Sequence, residues 1–369
     1  MKRYFAFCIT LAVLSCVIES SHAKPKPKNS EKWTILFYWA VDNDLYDFSV
    51  PYFEALKKIP TSQEVSLFAE YDFPGDRSTE RILITEGKQF TIEKIGEKNS
   101  ADPEALSEFI DAGKKLFPAD RTILVIGSHG SNWSGVISDE TSKSYMKLSE
   151  LRSALAGKKL DLVIFDACRM AFFETFLTLK NRADYFLASP SDVDGFNHVT
   201  PLTKLIQNRK MSLPELGKLY VESYPTTLVD DPNARTTASF ITTKASPHIT
   251  QELEEFFRLL GKKTPVELIR FRDNLSTSAS ADGDIYYDLF EVIEKAGASF
   301  LDLSYKAEFL SAKYTMTAKS LVLYRTDSKK SEYRSGIDIT CAKDVEEYRT
   351  SLAGKRLPKW SKLCEIWKR

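Results

Sequence analysis

The chain of 369 residues is 43% hydrophobic and 28% charged, and its 51 basic residues balance 51 acidic ones. This composition is typical of a globular protein that can bury a large core, in one large domain or two closely packed ones. The balanced charge gives no reason to expect a nucleic acid or an anionic membrane surface as a partner.

The N-terminus has the pattern of an export signal. Lys2 and Arg3 precede an apolar stretch over residues 4–18, and Ser21-His22-Ala23 has the small residues of a cleavage site. We therefore predict that residues 1–23 are a signal peptide.

A second outcome stays open for the same segment. Val13-Leu14-Ser15-Cys16 is a loose lipobox, which Leu14 fits imperfectly, and processing there would leave a lipid on Cys16. No other segment is long and apolar enough to span a bilayer, so this lipid would be the protein's only membrane anchor. We predict export by a bacterium, with the product secreted, periplasmic or lipid-anchored at the cell envelope.

Alternating strands and helices follow a polar tether. The tether covers residues 24–31, and a central strand over residues 33–40 ends at Asp42-Asn43-Asp44-Leu45, where Asp and Asn favour a turn and a helix cap. Asp102 opens a later helix as its cap, with Pro103 in the first position. Short apolar blocks predict further strands at residues 65–71, 81–85, 122–127, 160–165 and 185–188.

This alternation favours a mainly parallel sheet with helices on both faces, which we assign to residues 32–207. The pattern then changes, and we expect residues 208–369 to form a mixed α/β extension packed on the first domain. Predicted helices of the extension lie at residues 213–220, 249–260 and 284–296, and predicted strands at residues 237–241, 320–324 and 336–339.

Two of the strands end in reactive side chains, one strand–helix unit apart. Residues 122–127 lead into Ser128-His129-Gly130, and residues 160–165 lead into Asp166-Ala167-Cys168. A strand–helix–strand unit puts both carboxyl ends on one edge of the sheet, where open α/β folds have their sites. The pattern therefore predicts a His and a Cys at one edge, as thiol catalysis requires.

Other chemistries lack their motifs. The chain has no HExxH, CxxC or GxSxG and no phosphate-binding loop after a strand, so we expect neither a metal nor a serine in the chemistry. Without the signal, the cysteines are Cys168, Cys341 and Cys364, and this odd number leaves at least one thiol free in an oxidising compartment. Cys341 and Cys364 could pair, which the sequence alone does not decide, and Cys168 is then left over.

Each residue of the pair also has a purely structural interpretation. A lone Cys is most often a buried structural thiol, and His129 could be a loop histidine satisfied by the backbone. Their shared position favours catalysis instead. The N–H groups of Gly130 and Cys168 could form an oxyanion hole, and the positive end of the following helix would favour the thiolate.

Two segments resemble the signatures of a known family. Ser128-His129-Gly130-Ser131-Asn132-Trp133 and Phe165-Asp166-Ala167-Cys168-Arg169-Met170 are similar to the His and Cys segments of the clostripain family of cysteine peptidases, in the caspase-like clan. The resemblance covers roughly residues 33–339. It implies a caspase-like three-layer α/β sandwich and a dyad in which Cys168 attacks the scissile carbonyl and His129 protonates the leaving amine.

The resemblance also implies a substrate. Family members prefer Arg or Lys before the cleaved bond, and Asp166 matches the carboxylate that explains this preference. Asp166 could instead cap the following helix. Asp192 or Asp194 could add a second carboxylate from the loop after the next strand. Residues 194–198 of this loop depart from the family's Gly- and Pro-rich pattern, so the width of the pocket, and with it the choice between Arg and Lys, stays open.

Some relatives cut themselves after a basic residue between the His and Cys strands, and some respond to calcium. Lys143 and Lys147 are the candidate cleavage points here, in a polar segment that could equally be an ordinary solvated loop. Calcium stays open as an activator rather than a cofactor of the chemistry. Asp139 and Glu140 are too few acids in sequence to specify its site.

The sequence as a whole predicts an exported cysteine endopeptidase that acts on protein or peptide substrates after Arg or Lys. Two alternatives remain: a catalytically silent surface lipoprotein or binding protein that keeps the caspase-like fold, and a thiol enzyme of another reaction, such as a transpeptidase or an amidase. The presence of both His129 and Cys168 argues against a decayed site.

Overall fold

The computed structural model describes residues 31–75, 77–224, 238–244, 248–280, 283–300, 320–326 and 335–368. The predicted signal peptide, the lipobox and most of the tether lie outside these residues. Among the described helices, none is long and apolar enough to cross a bilayer.

The strands that the structure describes are β1 (Trp33–Ala40), β2 (Val65–Asp72), β3 (Thr79–Thr85), β4 (Lys88–Gly96), β5 (Arg121–Gly127), β6 (Gly130–Ser131), β7 (Gly135–Asp139), β8 (Ser144–Lys147), β9 (Leu160–Asp166), β10 (Ala183–Ala188), β11 (Ala238–Thr242), β12 (Thr277–Ala279), β13 (Ile285–Asp288), β14 (Val322–Thr326) and β15 (Asp338–Cys341). The helices are α1 (Tyr46–Leu56), α2 (Pro103–Leu116), α3 (Leu148–Ala154), α4 (Phe173–Leu179), α5 (Val199–Gln207), α6 (Leu213–Ser223), α7 (Ile249–Leu260), α8 (Pro265–Arg272), α9 (Leu289–Ser299), α10 (Val345–Thr350) and α11 (Pro358–Trp367).

Nine of the described strands form one sheet in the order β14-β11-β10-β9-β5-β1-β2-β3-β4. The five central strands, from β10 to β2, are parallel to one another. Strands β3 and β4 extend one edge in antiparallel fashion, and β11 and β14 extend the other. The predicted α/β fold with a mainly parallel central sheet is confirmed, and the antiparallel edges are an addition that the sequence pattern did not indicate.

Strand β1 shows why the protein has three layers. All eight of its residues are buried, and alternate side chains of a strand point to opposite faces of the sheet. Leu36 and Tyr38 join a core with α2, α3 and α4, whereas Ile35 and Phe37 join a second core with α1, α5 and α6. An apolar strand without alternation therefore makes two cores, one on each face.

The part of the chain beyond residue 207 adds β11 and β14 to this sheet. It also forms a small antiparallel sheet in the order β12-β13-β15. The start of β15 lies against the segment between the Cys strand and α4, where the N–H of Asp338 donates to the carbonyl of Ala171 at 3.1 Å. The extension thus contacts the chain three residues after Cys168.

Two local predictions were inaccurate. The helix predicted at residues 284–296 begins only at α9, because Ile285-Tyr286-Tyr287 pair with β15 and Asp288 caps the helix through the N–H groups of Phe290 and Glu291. The helix after β1 is capped by Leu45 without a side-chain bond, since Asn43 instead accepts the N–H of Leu45 in a turn.

Candidate active site

The two reactive segments leave the sheet side by side. Strands β5 and β9 are parallel neighbours, and their last residues, Gly127 and Asp166, are paired. His129 and Cys168 follow these residues at the same distance along the chain. The register of the two strands therefore places both residues at the same edge of the sheet, as predicted.

Gly130 lies directly against the backbone of the Cys segment. A Cβ atom built on Gly130 would be 2.3 Å from the carbonyl oxygen of Cys168 and 3.1 Å from the Cβ of Ala167. No real Cβ approaches a backbone oxygen so closely, so only glycine fits. The position keeps its backbone beside Cys168, as the proposed oxyanion role requires.

Cys168 is a free, partly buried thiol. Its Sγ accepts a hydrogen bond from the N–H of Val193 at 3.3 Å. Burial raises the pKa of the Cys168 thiol, and the charge of Asp192 raises it further, while the Val193 N–H and the charge of Arg169 offset part of this effect. The expectation of an environment that favours the thiolate was wrong, because burial outweighs these two stabilising groups.

His129 is bound to an acidic residue that the sequence analysis did not assign to the site. Its Nε2 lies 2.6 Å from Oδ1 of Asp44, and both side chains are substantially exposed. Asp44 lies in the segment between β1 and α1, and β1 is the strand beside β5 in the sheet. The signal was present in sequence as Asp42-Asn43-Asp44-Leu45, which we interpreted as a turn and helix cap without assigning it a role in the site.

A pocket opens beside Cys168 on the face of the sheet that α1 covers. Tyr52 of α1 donates a hydrogen bond to the carbonyl oxygen of Asp194, and its ring packs on Gly195. The residues that line the pocket include Trp39, Tyr52, Asp166, Cys168, Val193 and Gly195.

Asp166 supplies the buried carboxylate of this pocket. Its side chain is 7% exposed, Oδ1 accepts the N–H of Phe196 at 3.0 Å, and Oδ2 lies 3.2 Å from Nε2 of His198. The alternative that Asp166 caps the following helix is wrong, since both of its oxygens are bound to the loop after β10 and α4 is capped by Phe172.

The two other acidic candidates are held differently. Asp192 forms an ion pair with Arg169, with 2.8 Å between its Oδ1 and the Nε of the guanidinium. Asp194 contributes its backbone carbonyl to the contact with Tyr52. Their neighbours Val193 and Gly195 line the pocket beside Asp166, so a role of either acid in substrate binding stays a prediction.

The two candidate cleavage points differ in their backbone setting. Lys143 is exposed in the turn between β7 and β8, with a positive φ of 53°. Lys147 is also exposed, but it ends β8, pairs with Gly135 of β7 and donates its N–H to Glu150 at 2.8 Å. The bond after Lys143 is thus the more accessible one.

The tertiary structure gathers three buried carboxylates that are far apart in sequence. One oxygen each of Asp42, Asp72 and Asp139 lie within 4.8 Å of one another. Oδ2 of Asp72 has no hydrogen-bond partner, although the residue is 1% exposed. Burial raises the pKa of Asp72 to about 6. Among the described ion pairs, none joins a Lys or Arg to any of the three, so the cluster fits a cation with oxygen ligands.

Among the residues that the structure describes, Cys341 and Cys364 form a disulfide between β15 and α11, and Cys168 is free. Of these three cysteines, only Cys168 lies at the carboxyl end of a central strand.

The fold and the site together define a caspase-like cysteine peptidase, with a Cys and a His at the ends of adjacent parallel strands. The model of the clostripain family matches residues 37–348, and the chain belongs to this family. It is 20% identical to clostripain of Hathewaya histolytica, over 93% of this chain and 81% of that protein.

Solved structures agree with the fold. An inactive zymogen C11 protease from Parabacteroides distasonis has a TM-score of 0.71 and 21% identity, over 89% of this chain and 98% of that one. A secreted C11 cysteine protease from Bacteroides thetaiotaomicron, in complex with an irreversible peptide inhibitor, has a TM-score of 0.68 and 18% identity, over 90% and 99%. The caspase-like architecture is therefore confirmed over most of the chain.

Proposed function

We propose that this cysteine peptidase is exported and hydrolyses peptide bonds after Arg or Lys, with Cys168 and His129 as its dyad. The observation that carries the basic-residue preference is the buried carboxylate of Asp166 in the pocket that Cys168 also lines. A guanidinium or ammonium group entering this pocket would form charge-assisted hydrogen bonds with that carboxylate, away from competing water.

The chemistry follows from the two strand ends. The thiol of Cys168 releases its proton to solvent, and the Sγ attacks the scissile carbonyl, whose π electrons move to the oxygen; the N–H groups of Gly130 and Cys168 bind the oxyanion. When the C–N bond breaks, the imidazolium of His129 gives the leaving amine its proton and becomes neutral. Water then attacks the thioester and gives a proton back to His129, the acid product leaves as the C–S bond breaks, and the thiolate takes up a proton from solvent. The carboxylate of Asp44 orients the ring of His129.

Export is supported by the N-terminal pattern of residues 1–23, and by the secreted C11 protease among the solved structures. The substrates we propose are proteins or peptides with basic residues outside the cytoplasm. The membrane would be reached only through a lipid on Cys16.

Self-processing is supported by the zymogen state of the relative from Parabacteroides distasonis. We propose that this chain is cut after Lys143, because that bond lies in an exposed turn, whereas Lys147 is held by the β7–β8 ladder and by Glu150.

Calcium as an activator is supported by the acidic cluster. The carboxylates of Asp42, Asp72 and Asp139 would hold the ion, and the unpartnered Oδ2 of Asp72 is the atom that most needs it. Asp42 and Asp139 also accept N–H groups of Thr141 and Ser142, in the turn that contains Lys143. An ion there would stabilise this turn without taking part in the chemistry.

One experiment tests the proposed activity. The mature protein is incubated with fluorogenic peptides that end in Arg, Lys, Asp or Asn, beside a Cys168→Ala control. We expect hydrolysis after Arg or Lys only, and none with the control. Equal inactivity of both proteins on every peptide would favour the catalytically silent alternative, and cleavage only after Asp or Asn would overturn the assignment of Asp166.

A further inference from the structure

His198 is a buried histidine in contact with the carboxylate of the pocket. It stands just before α5 in the loop that departs from the family pattern, and its side chain is 2% exposed. Its ring lies between Asp166 at the end of β9 and Tyr220 on α6, each at 3.2 Å from one ring nitrogen. The edge-to-face contact with Phe37 of β1, at 5.3 Å between ring centroids, fixes the plane of the imidazole.

The surroundings of the ring determine which nitrogen carries the proton. Tyr220 is fully buried, and burial together with the charge of Asp166 raises the pKa of its hydroxyl, so the hydroxyl keeps its proton. A carboxylate only accepts hydrogen bonds, so Nε2, the ring nitrogen that faces Oδ2 of Asp166, is the donor of that contact. In the Nε2–H tautomer Nδ1 is an acceptor, and the O–H of Tyr220 donates to it.

This tautomer leaves the charge of Asp166 intact. Its carboxylate accepts one hydrogen bond from the neutral imidazole and one from the N–H of Phe196. Among the described ion pairs, Asp166 has no Lys or Arg partner. Two neutral donors hold both oxygens in place without cancelling the negative charge, whereas an imidazolium at the same position would neutralise it.

We propose that His198 is a positioning residue for substrate recognition: as the neutral Nε2–H tautomer, it fixes the carboxylate of Asp166 in the orientation that binds a basic side chain before the cleaved bond. This inference rests on the proposed function, since it takes Asp166 to be the carboxylate that binds the basic side chain. It adds a residue on the loop after β10 to a site built from the ends of β5 and β9.

Two variants separate positioning from folding. His198→Leu fills the site with an apolar side chain of moderate size but removes the Nε2–H donor. His198→Gln places an amide N–H donor near the position of Nε2. A matched control, His248→Leu, changes an exposed histidine at the start of α7. Each variant is compared with wild type by its far-ultraviolet circular dichroism and melting temperature.

The kinetic readout uses two peptides that differ only in charge, with Arg or its neutral isostere citrulline before the cleaved bond. For His198→Leu we expect KM for the Arg peptide to rise about tenfold, which corresponds to ~1.4 kcal/mol of lost binding, with kcat changed less than about threefold. The citrulline peptide should show little change in KM. His198→Gln should recover most of the loss, and His248→Leu should equal wild type.

A spectroscopic readout is independent of turnover. In the protein labelled with ¹⁵N-histidine, the signals of the residue lost in His198→Gln should show a protonated Nε2 and an unprotonated Nδ1. A proton on Nδ1, or equal KM changes for both peptides in His198→Leu, would overturn the inference. If no peptide is cleaved by the folded wild type, the proposed function fails, while the tautomer remains decided by the spectrum.

Discussion

Nε2 of His129 lies 2.6 Å from Oδ1 of Asp44, whereas Sγ of Cys168 accepts its hydrogen bond from the N–H of Val193. The two groups of the proposed dyad are thus each held by a different loop. Asp44, in the turn after β1, holds the imidazole of His129, and Val193, in the loop after β10, holds the sulfur of Cys168. In a substrate complex, the scissile bond would lie between these two side chains.

Asp44 should contribute modestly to turnover. Asp44→Asn keeps the shape of the side chain but removes the negative charge that faces Nε2 of His129 and orients its ring. Because both side chains are exposed, the pair is screened by water, and we expect kcat to fall only about two- to fivefold, with KM unchanged. Steady-state kinetics on an Arg peptide measures this, and Asp47→Asn on α1 is the matched control. A loss as large as that of Cys168→Ala would mean that Asp44 has another role.

The resting thiol should react slowly at neutral pH. Burial raises the pKa of Cys168, so at a given pH the folded protein holds less thiolate than an unperturbed cysteine does. We expect alkylation by iodoacetamide to be slower than that of glutathione near pH 7.5, and its rate to keep rising at a pH at which the rate of glutathione has levelled off. The disulfide of Cys341 and Cys364 leaves one thiol to follow by mass spectrometry in the mature chain. Fast alkylation below pH 7 would contradict a raised pKa.

Gly130→Ala should abolish activity. The added Cβ would lie 2.3 Å from the carbonyl oxygen of Cys168, a backbone atom that can move only with the nucleophile itself. We expect kcat to fall at least about 100-fold, as on loss of an oxyanion donor, together with a destabilisation of about 1–3 kcal/mol. Gly157→Ala is a suitable control, because its Cβ would meet nothing within 4 Å and only its positive φ is strained. Retained activity with Gly130→Ala would place the oxyanion elsewhere.

Self-cleavage should depend on Lys143 and on the thiol. In Lys143→Ala we expect a single chain on a denaturing gel, as in Cys168→Ala, whereas Lys147→Ala should still give two chains. The physical reason is that a strand residue has to leave its ladder before it can enter a protease site, and an exposed turn does not. N-terminal sequencing of the smaller product identifies the bond. Cleavage after Lys147 would show that the β7–β8 pair opens readily.

Calcium should stabilise the protein through the acidic cluster. Repulsion among three buried carboxylates opposes folding, and a bound divalent ion removes it. We expect millimolar calcium to raise the melting temperature of wild type by several degrees, about 1–3 kcal/mol, and to leave Asp72→Asn unchanged. Glu140→Gln, an exposed acid in the adjacent turn, should still respond. An equal calcium shift in wild type and Asp72→Asn would locate the ion at another site.

Much of the frame was readable in the sequence because buried parallel strands are short, apolar and bounded by turn residues. The blocks at residues 122–127 and 160–165 became β5 and β9 almost unchanged, and their order along the chain brought His129 and Cys168 to one edge. The segment at residues 284–296 could not be resolved in this way. Its first residues form strand β13, which pairs with β15, and β15 lies about fifty residues later in the chain.

Local pattern thus indicated the family, the sheet edge and the proposed His129–Cys168 pair, since each is carried by short segments of the chain. The tertiary structure decided the partners of those groups. Asp44 contacts His129, which is 85 positions away in the chain, and His198 contacts Asp166, which is 32 positions away. Asp42 and Asp72 lie beside Asp139 across separations of 97 and 67 positions. Such contacts depend on strand order and loop path, and a hydrogen bond or a desolvated charge leaves no periodic trace in the sequence. The raised pKa of Cys168 has the same origin, because it is set by burial and by the loop after β10 rather than by neighbours in the chain.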